Sequence, residues 1–459
     1  MEDNTTRQSV LFSDLFDKPL VAKFDQPHAS SDGGAILLKA ADRRLGLSER
    51  LAACLIDERE PGKISHRLHD LFRQRMFAIA CGYPDGNDAA RLAKDPVHKL
   101  LCDREAIADE ALASQPTLSR FENAVHRRDL YRMGEALAET VIERHHRRLG
   151  AKKVKHITID LDPADDPTHG GQPLSFFNSH YDTWCYLPMA GFLTFNHEPE
   201  QYLFTTVLRP GNAPAKQGTI GILTRVIARL REHFPRARLL VRLDGGFAGP
   251  AMADFLEDAR LDYGVAMAEN KVLARRSLRR VRAARKRSKA SGRTEHLYGE
   301  CRYAAGSGRQ KRRVIIKAEV VQLEGRAPKD NPRFVVTNLT QSPQHVYEKI
   351  YCGRGEIENR IKELHHGLEI DRTSCTRFLA NQLRVFLTAA SYVLMQELRL
   401  SAARTTYARA QVTTLRERLL KLGAWIEVSV RRIVLHLPES FIDRTAWRHI
   451  AQSLGAVPG

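Results

Sequence analysis

The chain has 459 residues, enough for two or three domains with sizeable hydrophobic cores. Apolar residues make up 43% of the sequence, which excludes a disordered polymer. Its 72 Lys and Arg residues outnumber its 54 Asp and Glu residues and give a net charge of +18, which favours nucleic acid over a membrane surface as the partner.

The seven cysteines are scattered and include no CxxC pair, so they predict neither a zinc site nor a disulfide framework. The N-terminus is polar and has no signal-peptide core. Polar residues interrupt the most apolar window, 379–398, so we expect a buried helix there rather than a membrane span. These features favour a cytoplasmic protein with no membrane partner.

Residues 35–148 show the apolar spacing of helices, interrupted by a breaker at 82–87. The motif Ser119-x-x-Glu122 fits a capping box, and a helix is predicted to start near Thr117. Because its first turn would carry Ser119 and Arg120, this helix is a candidate for DNA recognition. The alternative is an ordinary helical bundle.

Beyond residue 152 the apolar period changes to two, which is typical of strands. The order of predicted elements is three strands, then alternating helix and strand, which indicates a mixed α/β sheet. We predict strands at 154–161, 186–195, 201–208, 238–243 and 263–267, and helices at 219–233 and 250–259.

Residues 271–313 contain sixteen Lys and Arg residues and two acids, which predicts a basic arm. Arg275, Arg276, Arg279 and Arg280 recur at helical spacing, so we expect them to clamp a DNA backbone rather than form a solvated surface. Strands are predicted at 314–323 and 333–339, helices at 343–366 and 376–399, and an edge strand at 428–437.

Four carboxylates follow the first predicted strand, in the stretch VKHITIDLDPADDPTH: Asp160, Asp162, Asp165 and Asp166. Asp244 ends another strand, where Gly245 and Gly246 permit a sharp turn. Carboxylates at strand ends can together hold a hard cation. The alternatives are an inert acidic loop at the first strand and a helix N-cap at Asp244.

A third acid, Glu358, belongs to the pattern Tyr351-x-x-Arg354-x-x-x-Glu358. Offsets of three and seven place these side chains on one stripe of a helix, which Lys362 and His365 extend. Such a stripe can also be a solvated face. The presence of acids on three separated elements favours a functional site.

These motifs resemble the DDE transposases of bacterial insertion sequences, and within them insertion-sequence family 1380. The segments that carry the resemblance are LDPADDPTHG, RLDGGFA, YCGRGEIENRIKE, DRTSCTRFLANQLR, SSDGGAILLKAADRRLGLSERLA and SQPTLSRFENAV. Together they span about residues 28–440.

The resemblance implies a ribonuclease-H-like catalytic domain with Asp162, Asp244 and Glu358 as catalytic acids that hold two Mg²⁺ ions, for which Mn²⁺ can substitute. It implies that Tyr351 and Arg354 contact DNA phosphates near the scissile bond. The broader signature has a Lys seven residues after the Glu. His365 stands there, with Lys362 one turn earlier, and both are candidates for DNA contact.

The expected fold is therefore α/β, a ribonuclease-H-like mixed sheet with a β-rich basic insertion, preceded by an all-α N-terminal DNA-binding region. We expect a terminal-repeat-binding domain at 1–150, a catalytic core at 151–270 and 343–400, the insertion at 271–342 and a C-terminal region at 401–459.

The implied function is metal-dependent cleavage at insertion-sequence ends and strand transfer into target DNA. The expected partners are double-stranded terminal repeats and target DNA, with a homodimer in the synaptic complex, in the nucleoid of a bacterial cell. The alternatives are a stand-alone metal-dependent nuclease of the same fold and a non-catalytic DNA-binding derivative.

Overall fold

The computed structural model of the chain describes residues 10–13, 15–108, 110–304 and 310–457. The largest element in these residues is a mixed sheet of nine strands, in the order β6-β7-β9-β5-β4-β1-β2-β3, with the short β8 beside β7. The strands are β1 (His156–Pro163), β2 (Met189–Phe195), β3 (Tyr202–Val207), β4 (Arg238–Leu243), β5 (Asp262–Met267), β6 (Glu295–Tyr303), β7 (Arg312–Val321), β8 (Lys329–Asp330) and β9 (Arg333–Thr337). Strand β4 is parallel to β1 and β5, whereas the other neighbouring strands are antiparallel.

The apolar alternation of β1 explains its place in the sheet. Ile157, Ile159 and Leu161 are fully buried on one face, and Asp160 and Asp162 lie on the other. The predicted mixed α/β sheet is confirmed. The helix Thr219–His233 and strand β4 have the predicted boundaries, and the other predicted core strands differ from the observed ones by a few residues.

The first part of the predicted basic arm is a regular helix, Lys271–Ser291, in agreement with the helical spacing of its arginines, and we call it the basic helix. The Asn270 side chain caps it by accepting from the backbone N–H groups of Val272 and Leu273, both at 3.1 Å. Strands β6 to β9, which belong to the predicted β-rich insertion, do not form a separate sheet. Because β9 pairs with β5, they extend the main sheet. Residues 305–309, which the arm was predicted to include, lie outside the described residues.

The main sheet is accompanied by twelve further α-helices and three small sheets in the described residues. The helices are Ile36–Leu45, Leu47–Ala52, Leu68–Ala80, Gly86–Arg91, Pro96–Leu101, Gln115–Asn123, Arg127–Leu149, Thr219–His233, Pro250–Asp258, Phe378–Ser401, Val412–Leu415 and Arg444–Ser453. Shorter turns of 3₁₀-helix are Gly33–Ala35, Pro61–Lys63, Leu92–Lys94 and Gly245–Phe247, and Arg416–Leu420 is a turn of π-helix. Residues 343–367 form a further, irregular helix, described below.

The small sheets correct two expectations. The first pairs Val10–Phe12 with Leu20–Ala22, so residues 1–150 are not all-α. The second joins Ala29–Ser30 to a C-terminal hairpin, Ala424–Val428 and Ile433–His436. The predicted strand at 428–437 is therefore part of a separate sheet and not an edge of the main one. The third sheet consists of Asp166–Pro167, Thr183–Tyr186 and Phe176–Asn178.

The helix Phe378–Ser401, which we call the core helix, joins the N-terminal helices to the sheet. It packs on Leu68–Ala80, on Arg127–Leu149 and on β3. By length and composition it could cross a membrane, but 83% of its most apolar window is buried inside the protein, as a core helix requires. A bidentate pair from Arg144 to Glu397, with both distances 2.8 Å, fixes the contact. One hydrophobic core thus continues from the N-terminal helices into the sheet.

Candidate active site

The carboxyl ends of β1 and β4 lie side by side because the two strands are parallel. Their register pairs Asp160 with Arg242, and two residues later Asp162 and Asp244 leave the strands at the same edge of the sheet. Gly246 N–H donates to Asp244 Oδ1 at 2.9 Å and holds that carboxylate at the start of the turn. Asp244 thus caps the 3₁₀ turn Gly245–Phe247, so the N-cap alternative and a place beside Asp162 are compatible.

The helix over these strand ends, residues 343–367, is not regularly wound, and we call it the signature helix. Successive segments are Pro343–His345 (α), Val346–Tyr351 (π), Cys352–Gly355 (3₁₀), Glu356–Lys362 (α) and Glu363–Gly367 (π). The predicted single stripe, which assumed 3.6 residues per turn, is therefore distorted.

The stripe residues differ in exposure along the signature helix. Tyr351 is half-buried and the Arg354 side chain is mostly buried, whereas Glu358 and Lys362 are exposed. His365 is half-buried and its Nδ1 lies 3.6 Å from a carboxylate oxygen of Asp371. The structure thus brings Tyr351 and Arg354 to the strand ends and turns His365 towards a neighbouring acid.

Two glycines let the signature helix come close to the sheet. The Tyr351 ring lies over Gly264 of β5, 3.5 Å from where a Cβ would stand. A Cβ at Gly353 would lie only 2.5 Å from Arg242 Nη1, so a side chain there would displace the guanidinium. The same Arg242 Nη1 donates to the carbonyl of Ile350 at 2.8 Å.

Asp160 is fully buried and belongs to the scaffold of the site. Arg242 Nε and Nη2 donate to its two oxygens at 2.8 and 2.6 Å, and Gln201 Nε2 donates at 2.8 Å. Through Arg242, this carboxylate ties β1 to β4 and to the signature helix. Asp162 is therefore the carboxylate available at the end of β1.

Asp162 is also mostly buried, and Arg354 Nη2 donates to its Oδ1 at 2.5 Å. Burial raises the pKa of Asp162 to about 7, Arg354 opposes that shift, and the charges of Asp244 and Glu358 add to it. The three predicted acids therefore share one electrostatic environment, although they come from three separated segments.

The donor set suits a hard divalent cation, because three carboxylates that repel one another are stabilised by positive charge and offer only oxygen ligands. Two groups of side chains in the described residues have all their potential ligand atoms within 4.8 Å of one another, and Asp162, Asp244 and Glu358 are in neither of them. Those tight groups are Asp32–Cys81–His98 and Glu139–Glu143–His233. Each of them already contains an ion pair with a cationic side chain, from Lys421 and Arg229 respectively.

Comparison with protein families identifies the chain. The profile described as transposase DDE domain group 1 matches residues 12–458, nearly the entire sequence. The chain belongs to this family of DDE transposases. A search of curated proteins finds no match. The narrower resemblance of this transposase to insertion-sequence family 1380 stays a prediction.

The predicted recognition helix of the transposase begins earlier than expected. The helix is Gln115–Asn123, so Ser119 lies in its middle and the predicted capping box was wrong. Glu122 is buried and accepts from Arg75 Nε at 2.7 Å and from Arg384 Nε at 2.9 Å. Arg120 is exposed and Ser119 half-buried, and their role in DNA recognition stays a prediction.

The four predicted arginines of the basic helix differ in their surroundings. Arg275, Arg276 and Arg279 are exposed, and Arg280 is half-buried. Arg276 Nη1 donates to the carbonyl of Arg302, and the Arg280 guanidinium lies against Gly299 of β6. The sequence spacing does not distinguish the four arginines, whereas in the structure two of them, Arg276 and Arg280, contact the main sheet.

Sequence reasoning missed the residues that support the transposase site, above all Arg242 with its partner Asp160. The signal was present, because an arginine within the apolar strand RLLVRL and an aspartate within ITIDL are both costly to bury alone. Pairing them requires the parallel register of β1 and β4, which the sequence does not specify. Gly264 and Gly353 were missed for the same reason.

Proposed function

We propose that the protein is a DNA transposase that cleaves insertion-sequence ends in a metal-dependent reaction and transfers the strands into target DNA. The observation that carries the proposal is that the charges of Asp244, after the end of β4, and of Glu358, on the signature helix, both act on Asp162 at the end of β1. The strand order β3-β2-β1-β4-β5, antiparallel and then parallel, supports a ribonuclease-H-like catalytic core.

The three acids would hold two Mg²⁺ ions or their Mn²⁺ substitutes. When bound, such a metal pair stabilises the attacking and the leaving oxygen of an in-line phosphoryl displacement. Tyr351 and Arg354 line the site and would position the scissile phosphate. Asp160 and Arg242 would keep the two strand ends and the signature helix in register during the reaction.

Two displacements make up the reaction. In cleavage, water attacks the phosphorus at the element end, a P–O bond forms, and the bond to the departing 3′-oxygen breaks. In joining, the liberated 3′-OH attacks a target phosphodiester, and a target 3′-oxygen leaves. Both displacements can use the same site, because each is an in-line attack of an oxygen nucleophile on a phosphodiester and each expels a 3′-oxygen.

End recognition is assigned to the helical region before residue 150, with Ser119 and Arg120 as candidate contacts and a homodimer as the synaptic unit. The shared core argues against testing this with a fragment that ends near Arg148, since removing the core helix would expose apolar surface. The full chain with Arg120→Ala should lose preference for terminal-repeat DNA over scrambled DNA in a gel-shift assay. An unchanged preference would remove Arg120 from the recognition surface.

Nicking of an element end tests the assignment of the acids. Asp162→Asn, Asp244→Asn and Glu358→Gln should each lose roughly 100-fold or more of Mg²⁺-supported nicking while still binding DNA. The matched controls are Asp165→Asn beside β1 and Glu356→Gln on the signature helix. Normal nicking by any of the three acid variants would remove that acid from the catalytic set.

Strand transfer requires a second measurement with a pre-cleaved end that carries a 3′-OH and a supercoiled target. Joined products that depend on the same three acids support the transposase. Cleavage without any joining would support a stand-alone nuclease, and the absence of both activities from an unaltered protein that still binds DNA would support a non-catalytic DNA-binding protein.

A further inference from the structure

The side chain of Arg354 leaves one of its donors without a partner. Its Nη2 donates to Asp162 Oδ1 at 2.5 Å, but its Nε is buried and has no acceptor within the described residues. Only 12% of the side chain is exposed. A buried N–H without an acceptor is unfavourable, so this arrangement of Arg354 is incomplete in the protein alone.

The contact also occupies the carboxylate oxygen that a cation would need. A guanidinium at 2.5 Å neutralises Asp162 and would repel a divalent ion approaching the same oxygen. A DNA phosphate offers several acceptor oxygens and suits the fork of a guanidinium, including the unpaired Nε. Asp162 and a phosphate therefore compete for the same arginine.

The backbone around Arg354 permits a change of partner. Gly353 and Gly355 flank it within a 3₁₀ segment between π- and α-helical turns. Gly355 has an ordinary helical φ of −55° and open space at its Cβ position, so neither strain nor crowding requires glycine there. Glycines on both sides do supply conformational freedom.

We propose that Arg354 is a latch that holds Asp162 until the scissile phosphate arrives, so that the active site binds its metal tightly only when DNA is present. The proposal rests on the proposed function, because it takes Asp162 as a metal ligand. Arg354 would thereby prevent metal-dependent chemistry in the absence of substrate. By linkage, metal should strengthen DNA binding by the same factor by which DNA strengthens metal binding.

The test is the affinity of the full-length protein for Mn²⁺, followed by the electron paramagnetic resonance signal of the free ion. Without DNA, Arg354→Gln should bind Mn²⁺ about tenfold more tightly than the unaltered protein. The matched control is Lys349→Gln, which removes one positive charge from an exposed position on the same helix and should leave the affinity within about twofold.

Asp162→Asn separates failure of the latch from failure of the proposed function. Equal Mn²⁺ affinity in the Arg354 variant and the unaltered protein, with weaker binding in Asp162→Asn, would overturn the latch alone. Unchanged binding in Asp162→Asn would instead remove Asp162 from the metal site. A measurement on the unaltered protein keeps the proposal testable if Arg354→Gln does not fold. An end duplex should then raise Mn²⁺ affinity about tenfold, and an unchanged affinity would overturn the latch.

Discussion

Two arginine-bearing helices cover opposite faces of the extended sheet. The signature helix packs through Val346 against Ile315 and Val335. The basic helix packs through Leu273, Val281 and Ala284 against the core that contains Val314 and Ile316. Because side chains alternate along β7, residue 315 faces one side and residues 314 and 316 face the other. The acids lie on the side of the signature helix.

The arginines of these helices have different partners. On the signature helix, Arg354 and Arg360 are mostly buried and contact Asp162, Glu200 and Glu363. The basic helix presents an exposed stripe at intervals of three and four residues, formed by Arg275, Arg279, Arg282, Lys286 and Lys289. A buried arginine fixes the position of a carboxylate, whereas an exposed stripe is available to a polyanion.

The largest expected effect is on folding stability and concerns the buried ion pair of Arg242 and Asp160 beneath the signature helix. Arg242→Ala leaves Asp160 buried without its cation, so the free energy of unfolding should fall by about 3–5 kcal/mol. The control, Arg238→Ala, removes an exposed arginine of the same strand, paired with Asp262 at 2.8 Å, and should cost less than about 1 kcal/mol. Urea unfolding measures both, and equal losses would contradict the distinction between buried and exposed pairs.

The next effect concerns DNA affinity at the basic helix. Replacing Arg275 and Arg279 with Ala should reduce the slope of log affinity against log salt by about 1.8 units if both contact phosphates. The matched double variant, Arg276→Ala with Arg280→Ala, removes the same charge from side chains that contact β6, and should change the slope less. Random and specific DNA should be affected alike, because phosphate contacts carry no sequence information.

Because the two helices lie on opposite faces of the sheet, the rate of nicking is a second measurement that separates their roles. The stripe lies on the face away from the acids, so the Arg275 and Arg279 variant should nick a bound end at the normal rate when protein saturates the DNA. A lower rate at saturation would mean that the basic helix also positions the scissile strand. An unchanged salt slope would leave the stripe as a solvated surface.

The sequence predicts structural features that depend on one short segment better than features that depend on contacts between distant segments. Thr219–His233 and β4 have clear periodicity between turn signals, and their boundaries were predicted correctly. The pairing of β9 with β5 and of Trp425 with Ala29 joins distant segments, and no local pattern specifies such partners. The acids were recognisable from spacing and family resemblance, but the contact between Arg354 and Asp162 depends on how a π-turn and a 3₁₀ turn rotate the signature helix.

The smallest expected effect is a pH-dependent change in stability at Asp166, a buried carboxylate that, unlike Asp160 and Asp162, has no arginine partner among the described residues. The Thr373 hydroxyl lies 2.9 Å from each of its oxygens. Burial raises its pKa to about 8, Thr373 opposes the shift, and the charges of Asp371 and Asp165 add to it. The folded protein thus binds a proton at Asp166 that the unfolded chain, with a pKa near 3.8, has already released at neutral pH.

Folding stability should therefore decline as the pH rises from about 4 to about 8, since over that range the native state holds the extra proton. Asp166→Asn keeps the shape and cannot ionise, so it should remove this contribution. Between pH 6 and pH 8, the unaltered protein should lose about 1–2 kcal/mol of unfolding free energy more than the variant. Urea unfolding at both pH values measures the difference. A variant with the same pH dependence would mean that Asp166 is ionised in the folded protein and that Thr373 is sufficient to stabilise its charge.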